Sequence, residues 1–325
     1  MSSVLADKRP TSKGQCEKGI EDFLTDVRRG LSESQKCIPC KYLYDDRGAD
    51  LFDRICTLDE YYPTRTEIAL LRRHGDEIAE FAGTNSCLIE FGSGSTHKSE
   101  ILLNAFRNPS VYIPVDISQQ QLAASVDAIT HAIPGISVKP VCADFTTPFK
   151  LPAEVAEMNR MGFFPGSTIG NFTPSETHRF LARVIGILGS RASFVIGVDL
   201  EKDERLLNAA YNDAGGVTAA FNLNLLARIN RELSADFDLK SFSHHATYNT
   251  REARIEMYLI SQRPQIVTIG GRQFSFDHGE RIHTENSHKY SLPRFRAIAS
   301  AAGWRSTRAW VDDANLFSIH LLQSD

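Results

Sequence analysis

Cys87-Leu-Ile-Glu-Phe91 is followed by Gly92-Ser-Gly94-Ser-Thr-His-Lys98 and then by a helical stretch from Ser99 to Phe106. A short apolar run, a glycine loop and a helix in that order spell a strand, a sharp turn and a crossover helix. Glycines at such a turn let the backbone bend tightly and approach a ligand closely.

The pattern repeats outward from that loop. Val111-Tyr-Ile-Pro-Val115 is a second strand, and Ser118 with Gln121 opens a helix toward Ile129. Ile136 to Cys142 is a third strand, Gly162 to Gly170 holds a fourth apolar run and a turn, and Ser193 to Val198 is a fifth. Between the last two, Thr173-Pro174-Ser175-Glu176 combines a cap, an early proline and a glutamate three residues on, a strong helix start. Alternation of this kind predicts a parallel sheet with helices on both faces. Beyond Asp199 the texture changes: Glu201 to Asp238 reads as helical, while Arg254 to Leu259 and Gln265 to Phe276 read as strands, the latter turning at Gly270-Gly271. Ser291-Leu-Pro-Arg opens another helix, and Ser306 to Val311 with Phe317 to Leu322 closes the chain as an antiparallel pair. The architecture expected is one doubly wound domain, interrupted by an insertion and completed by the last thirty-odd residues.

Three strand ends carry chemistry on one edge. Asp116 lies 22 residues after Gly94, where an acid accepts hydrogen bonds from ribose hydroxyls, and Asp144-Phe145 offers a carboxylate and a ring to an adenine. A nicotinamide dinucleotide site wants a third glycine where this chain has His97, and a P-loop wants Gly-Lys-Ser/Thr. A cofactor without phosphates, carrying a sulfonium and a ribose, suits this loop better: S-adenosylmethionine.

Composition narrows the remaining classes. The chain has 325 residues, 42% apolar and 23% charged, enough to bury a substantial core. The net charge is −4 and its 36 lysines and arginines are scattered, which speaks against nucleic acid or an anionic membrane as partner. No apolar run is long enough for a membrane span, and the polar start MSSVLADKRPTSKGQ lacks a signal core, so a cytoplasmic location is expected, with residues 1–19 loose. Cys37 and Cys40 form a CxxC without the second pair or histidine that zinc requires, and the ten histidines, His244-His245 included, fall outside metal spacing. No metal is expected, and the histidines read as surface or ordinary polar residues.

The chain resembles the histidine-specific Nα-methyltransferases of ergothioneine biosynthesis. The likeness runs from about Phe23 to the C-terminus through Tyr44-Asp-Asp-Arg-Gly-Ala-Asp-Leu-Phe52-Asp, Glu60-Tyr-Tyr-Pro-Thr-Arg-Thr-Glu67, Gly92 to Lys98, Gly166-Ser-Thr-Ile-Gly-Asn171, Gly215 to Asn222, Arg231 to Asp238, Arg254-Ile-Glu-Met257 and Thr284-Glu-Asn-Ser287. It implies trimethylation of L-histidine to hercynine, with S-adenosylmethionine as donor and S-adenosylhomocysteine as product. It implies a Rossmann-type class I methyltransferase sheet at residues 66–201 and 291–325, and a family-specific substrate domain at 20–65 and 202–290. A monomer is expected. By the resemblance, Tyr44, Gly92, Lys98, Asp116, Asp144 and Phe145 contact the cofactor. Asn171 and Tyr211 take the substrate carboxylate, Tyr61 lies near the amino group, and Glu285 and Ser287 hold the imidazole. Phe52, Gly166, Thr168, Thr218 and Met257 shape the pocket. Taken alone, Lys98 would be a surface residue at a helix start, Tyr211 and Met257 ordinary core, and Thr284 to Ser287 a solvated loop.

These residue types suit the reaction. Methyl transfer is an in-line displacement at a carbon already activated by sulfur, so the protein aligns the amine and excludes water. Tyr61, Asn171 and Tyr211 form the expected catalytic set. Tyr61 orients the amine, with a water to carry the proton; an ordinary phenol pKa near 10 is high for a general base. Glu285 and Ser287 are two apart, so an extended segment turns both to one face, and an acid there also favours a charged ring. An apolar residue at 285 would suit an indole instead. Competing expectations are a methyltransferase for another amino acid such as tryptophan, a nicotinamide-dependent oxidoreductase, and a non-enzymatic cofactor sensor.

Overall fold

A computed structural model describes residues 12–94, 96–106 and 109–325. In chain order its elements are α1 (Ser12–Gly30), α2 (Asp46–Ile55), α3 (Tyr62–Glu80), β1 (Ser86–Phe91), α4 (His97–Ala105), β2 (Pro109–Asp116), α5 (Gln119–Ala132), β3 (Ser137–Val138), β4 (Val141–Cys142), β5 (Asn159–Phe164), α6 (Pro174–Leu188), β6 (Ser193–Asp199), α7 (Glu204–Tyr211), α8 (Val217–Leu233), β7 (Phe242–Asn249), β8 (Arg254–Ser261), β9 (Gln265–Ile269), β10 (Arg272–Phe276), β11 (Arg281–His288), α9 (Leu292–Ala301), β12 (Arg305–Val311) and β13 (Phe317–Gln323). For residues 1–11 the expected loose start lies outside the described residues; from Ser12 the chain is helical.

Two compact units emerge, one of residues 53–213, 247–256 and 286–325, the other of residues 1–52, 214–246 and 257–285. The first contains an eight-stranded sheet ordered β12-β13-β6-β5-β1-β2-β3, with β4 also on β2. The pairs from β2 through β1 and β5 to β6 are parallel, while β13 runs antiparallel to both β6 and β12. This is the doubly wound, mainly parallel Rossmann-type sheet expected from the sequence. β1 and β6 are buried at every position, as strands covered by helices on both faces must be.

Local chemistry sets the element ends. Thr173 accepts from the Glu176 amide while Glu176 accepts from the Thr173 amide, a complete capping box on α6, and Gly189 ends that helix at φ +86°. Ser118 caps α5 through the Gln121 amide. The expected third strand from Ile136 to Cys142 is instead two short pieces, β3 and β4, divided at Pro140, which has no N–H to give; Lys139 still donates to the Tyr112 carbonyl at 2.9 Å.

The second unit is joined by different means. Phe23 of α1 stacks on Tyr42 with ring centroids 4.2 Å apart, and Arg228 of α8 lies over Phe23. Asp45 accepts from Asn224 and Arg231, tying the segment before α2 to α8. β9 and β10 form a hairpin whose two glycines, Gly270 and Gly271, both sit at positive φ, as a tight two-residue turn requires. A third sheet, assigned wholly to neither unit, has the order β11-β8-β7.

Candidate active site

The carboxyl edge of the large sheet gathers the first group of expected residues. Gly92 leaves β1 at φ +83°, its amide donating to Val115 at 2.8 Å. An added Cβ there would only touch the Phe145 ring, at 3.5 Å, so it is the positive φ that calls for glycine. Asp116 ends β2 and accepts from the Ser93 amide at 3.2 Å and the Ser118 amide at 2.8 Å, so it fixes the glycine loop and the α5 entry together. Burial pushes its pKa up, against those amides. Asp144 accepts from the Thr146 amide at 2.8 Å. Ser95, within the loop, lies outside the described residues.

Lys98 corrects the surface expectation for a lysine at a helix start. It is buried, and its ammonium pairs with Glu67 of α3 at 2.6 Å. Glu67 also accepts from the Gly166 amide at 2.9 and 3.1 Å. Gly166 and Ser167 follow β5 with φ of +79° and +55°, a turn in which a serine holds a left-handed conformation at a cost of about 1 kcal/mol. The Ser167 hydroxyl accepts from the Asp199 amide at 2.9 Å, which anchors the turn. Thr168 donates to the Pro165 carbonyl, and Asn171, half-buried, ends the turn of 3-10 helix at Thr168–Asn171. At Gly170 an added Cβ would lie 2.8 Å from the His288 carbonyl and 3.4 Å from Ser287 Oγ, so only glycine lets the turn and β11 meet this closely.

Around that meeting point lies a buried polar cluster. Tyr211 ends α7, its ring edge-on to Tyr61 at 6.1 Å, and its hydroxyl donates to Ser287 Oγ at 2.8 Å. Lys289, fully buried, donates to Asp199 at 2.7 Å, Ser287 at 2.8 Å and Tyr211 at 3.0 Å. Asp199 also accepts from Tyr62 at 2.9 Å and pairs with Lys202. Burial alone would raise the pKa of Asp199, but the two ammonium groups outweigh it and hold the carboxyl below its usual range. The same pairing keeps Lys289 charged above its ordinary value, although burial opposes it. For Lys202 burial wins, bringing its pKa down to about 8.

Sequence reasoning missed Asp199, Lys202, Lys289 and Glu67. Asp199 carried a usable signal: it ends a strand on the same edge as Asp116 and Asp144. Nothing local marks Lys289, since lysine is almost always exposed. The histidines also need correcting. His288 and His320 are wholly buried, and burial lowers their pKa values to about 4 and about 3. His244 is half-buried, bonded to Asn222 at 3.0 Å. Strand positions facing inward override a polar residue's usual exposure.

The remaining expected residues belong to the other unit. Tyr44, Phe52 and Phe221 form an aromatic trio with centroids 5.4 to 6.0 Å apart. Thr218 is buried one turn before Phe221 on α8. Met257 is buried on β8, and its carbonyl accepts from Thr284 at 3.2 Å. Glu285 follows on β11 with 7% of its surface exposed; Ser287, on the same strand but in the large unit, shows 4%. Thr284 to Ser287 is therefore buried strand rather than a solvated loop.

Comparison with known proteins identifies the family. A family model described as histidine-specific, S-adenosylmethionine-dependent methyltransferase matches residues 23–324. The histidine N-alpha-methyltransferase of Mycolicibacterium smegmatis is 42% identical over 310 residues, covering 94% of this chain and 96% of that protein. That of Mycobacterium tuberculosis is 40% identical, covering 91% and 93%. Ergothioneine biosynthesis protein 1 of Neurospora crassa is 31% identical over 88% of this chain and 33% of its own length. Among the described residues, no helix is long and apolar enough to cross a membrane.

Proposed function

The chain belongs to the family of histidine-specific, S-adenosylmethionine-dependent methyltransferases, and from that premise we propose that it methylates the α-amino nitrogen of L-histidine three times, giving hercynine at the first step of ergothioneine biosynthesis. The observation that carries the choice of histidine is the burial of a carboxylate and a hydroxyl, Glu285 and Ser287, two residues apart on one strand. Side chains with that spacing share a face and match the two nitrogens of an imidazole.

The cofactor edge fits a donor without phosphates. Lys98, buried at this edge, is already paired with Glu67, while the Asp116 carboxylate retains acceptor capacity beyond the Ser93 and Ser118 amides. When bound, S-adenosylmethionine supplies a methyl carbon activated by its sulfonium. Gly92 admits the ligand close to the backbone, Asp116 and Asp144 accept from its hydroxyl and amino groups, and Phe145 packs on its ring. Tyr44 is a further contact. Asn171 and Tyr211 bind the amino-acid carboxylate, and Tyr61 orients the amine, whose proton must leave before its lone pair can attack. Phe52, Gly166, Thr168, Thr218 and Met257 bound the guest. The unit of residues 1–52, 214–246 and 257–285 is proposed as the family-specific substrate-binding part. A net charge of −4 with scattered cations accords with a small molecule as substrate, and a monomer working in the cytoplasm is proposed.

Incubation with S-adenosylmethionine and histidine is expected to add 14, 28 and 42 mass units to the amino acid. A higher kcat/KM for tryptophan than for histidine overturns the proposal.

A further inference from the structure

Glu67 lies on α3 with 1% of its surface exposed, an unusual place for a glutamate. Room for its head is left by a glycine: at Gly197 on β6 an added Cβ would lie 2.1 Å from Glu67 Oε1. The carboxylate serves two donors there. The Lys98 ammonium reaches Oε2 at 2.6 Å. The Gly166 amide shares its hydrogen between the two oxygens, 2.9 Å from Oε2 and 3.1 Å from Oε1. The two donors ask for different things. A buried ammonium needs an opposite charge, whereas an amide needs an acceptor.

We propose that Glu67 is a positioning residue for Asn171: by holding the Gly166 amide it fixes the start of the turn whose end offers Asn171 to the substrate carboxylate. The inference rests on the reading of Asn171 given above and extends it to a residue on another element, for which sequence alone gave no role.

The turn needs holding. Gly166 and Ser167 both have left-handed backbones, at φ +79° and +55°, and such a pair persists where its surroundings fix it. Glu67 fixes the first residue through its amide. The Asp199 amide fixes the second, donating to Ser167 Oγ at 2.9 Å. The Gly170 amide closes the turn on the Ser167 carbonyl at 2.8 Å. Beyond it the chain is stopped by β11, because Gly170 leaves no room for a Cβ beside the His288 carbonyl, 2.8 Å from where that atom would sit. Asn171 comes directly after that stop, at the end of the 3-10 turn. Released at Gly166, the left-handed pair relaxes toward ordinary backbone and carries Asn171 with it. A binding group must be held to within about 0.5 Å for its hydrogen bond to form. Glutamine at 67 would keep an acceptor for the turn, its oxygen taking the place of Oε2, and would give up the charge.

The test is calorimetric binding of histidine to the full chain with saturating S-adenosylhomocysteine, in two double variants: Glu67→Gln with Lys98→Met, and Glu67→Leu with Lys98→Met. Replacing both members of a buried pair strands neither charge, so the variants differ in the acceptor alone. In the glutamine variant the histidine Kd is expected to stay within about twofold of the unmodified protein; in the leucine variant it is expected to rise about tenfold, the size of one lost hydrogen bond to a charged group. Histamine, which lacks the carboxylate, is expected to bind both variants equally. Equal histidine affinity in the two overturns the inference, as does a histamine Kd that rises in parallel with that of histidine. If the leucine variant does not fold, Gly197→Ala displaces the Glu67 head while keeping its charge; it is expected to raise the histidine Kd about tenfold, and an unchanged Kd overturns the inference. No histidine binding by the unmodified protein overturns the histidine reading and the inference with it.

Discussion

Glu90 and Asp199 lie near the carboxyl ends of two strands of the same sheet, and neither exposes any surface, yet they titrate in opposite directions. Burial is the largest influence on both and raises both. Asp199 has Lys289 and Lys202 within ion-pair distance and falls below the ordinary range. Glu90 has the Tyr112 and Ser99 hydroxyls to favour its charged form, too little against burial, and its pKa is pushed up to about 7. Lys98, the nearest cation among its influences, is committed to Glu67. A buried carboxylate is thus governed by whether a cation is assigned to it, and burial alone does not predict its charge.

The largest way to break the contrast is to remove a cation from Asp199. Lys289→Met leaves that carboxylate with Lys202 alone and is expected to cost about 3–5 kcal/mol in urea denaturation, because breaking a buried pair strands a charge. A loss under about 1 kcal/mol would mean Lys202 suffices.

Next comes the pH dependence of Glu90. Its folded pKa lies above its unfolded value, so the folded state holds the proton more tightly. Stability from this group is present at low pH and is lost as pH rises from about 4.5 through about 7, by about 3 kcal/mol. The depressed His288 and His320 slope the opposite way below pH 6.5, so the difference between the protein and Glu90→Gln is the quantity to measure. That difference should favour the glutamine variant increasingly toward pH 8. Asp199 has the reverse sign: its contribution is present above the unfolded carboxylate value and is lost only in stronger acid. Equal denaturation midpoints for both proteins at pH 5 and 8 would remove Glu90 from the comparison.

Glu67 sharpens it as a carboxylate with one cation and two contacts to a backbone amide. Glu67→Gln keeps an acceptor for Gly166 but leaves Lys98 uncompensated, and is expected to cost about 2–3 kcal/mol and to raise the KM for S-adenosylmethionine. Glu285 is the smallest case, a buried acid proposed to receive its hydrogen from the substrate. Glu285→Ala should weaken histidine binding by about 1–3 kcal/mol in calorimetry, and unchanged binding would end its assignment.

The legible parts of this molecule were those encoded within a few residues. The Thr173 capping box, the Ser118 and Ser291 caps, the paired glycines at 270 and 271 and the Gly92 turn were all readable because each satisfies its own backbone locally. β7 and β11 were not, because their burial depends on partner strands rather than on a clean alternation: β7 exposes or half-exposes most of its residues, and β11 buries a glutamate, a serine and a histidine. The acids at 116 and 144 were legible from their strand ends; Asp199 obeyed the same rule but lay where the pattern was changing.

By itself the sequence determined the class I sheet, its glycine loop and, through long matching segments, the family and its donor, since these rest on local backbone requirements and on residue identity. Only the tertiary structure decided the charge states: that Lys98 answers Glu67, that Lys289 and Lys202 answer Asp199, and that Glu90 answers no cation. A pair of charges interacts through distance and dielectric, and residues 90 positions apart acquire both only when the chain has folded.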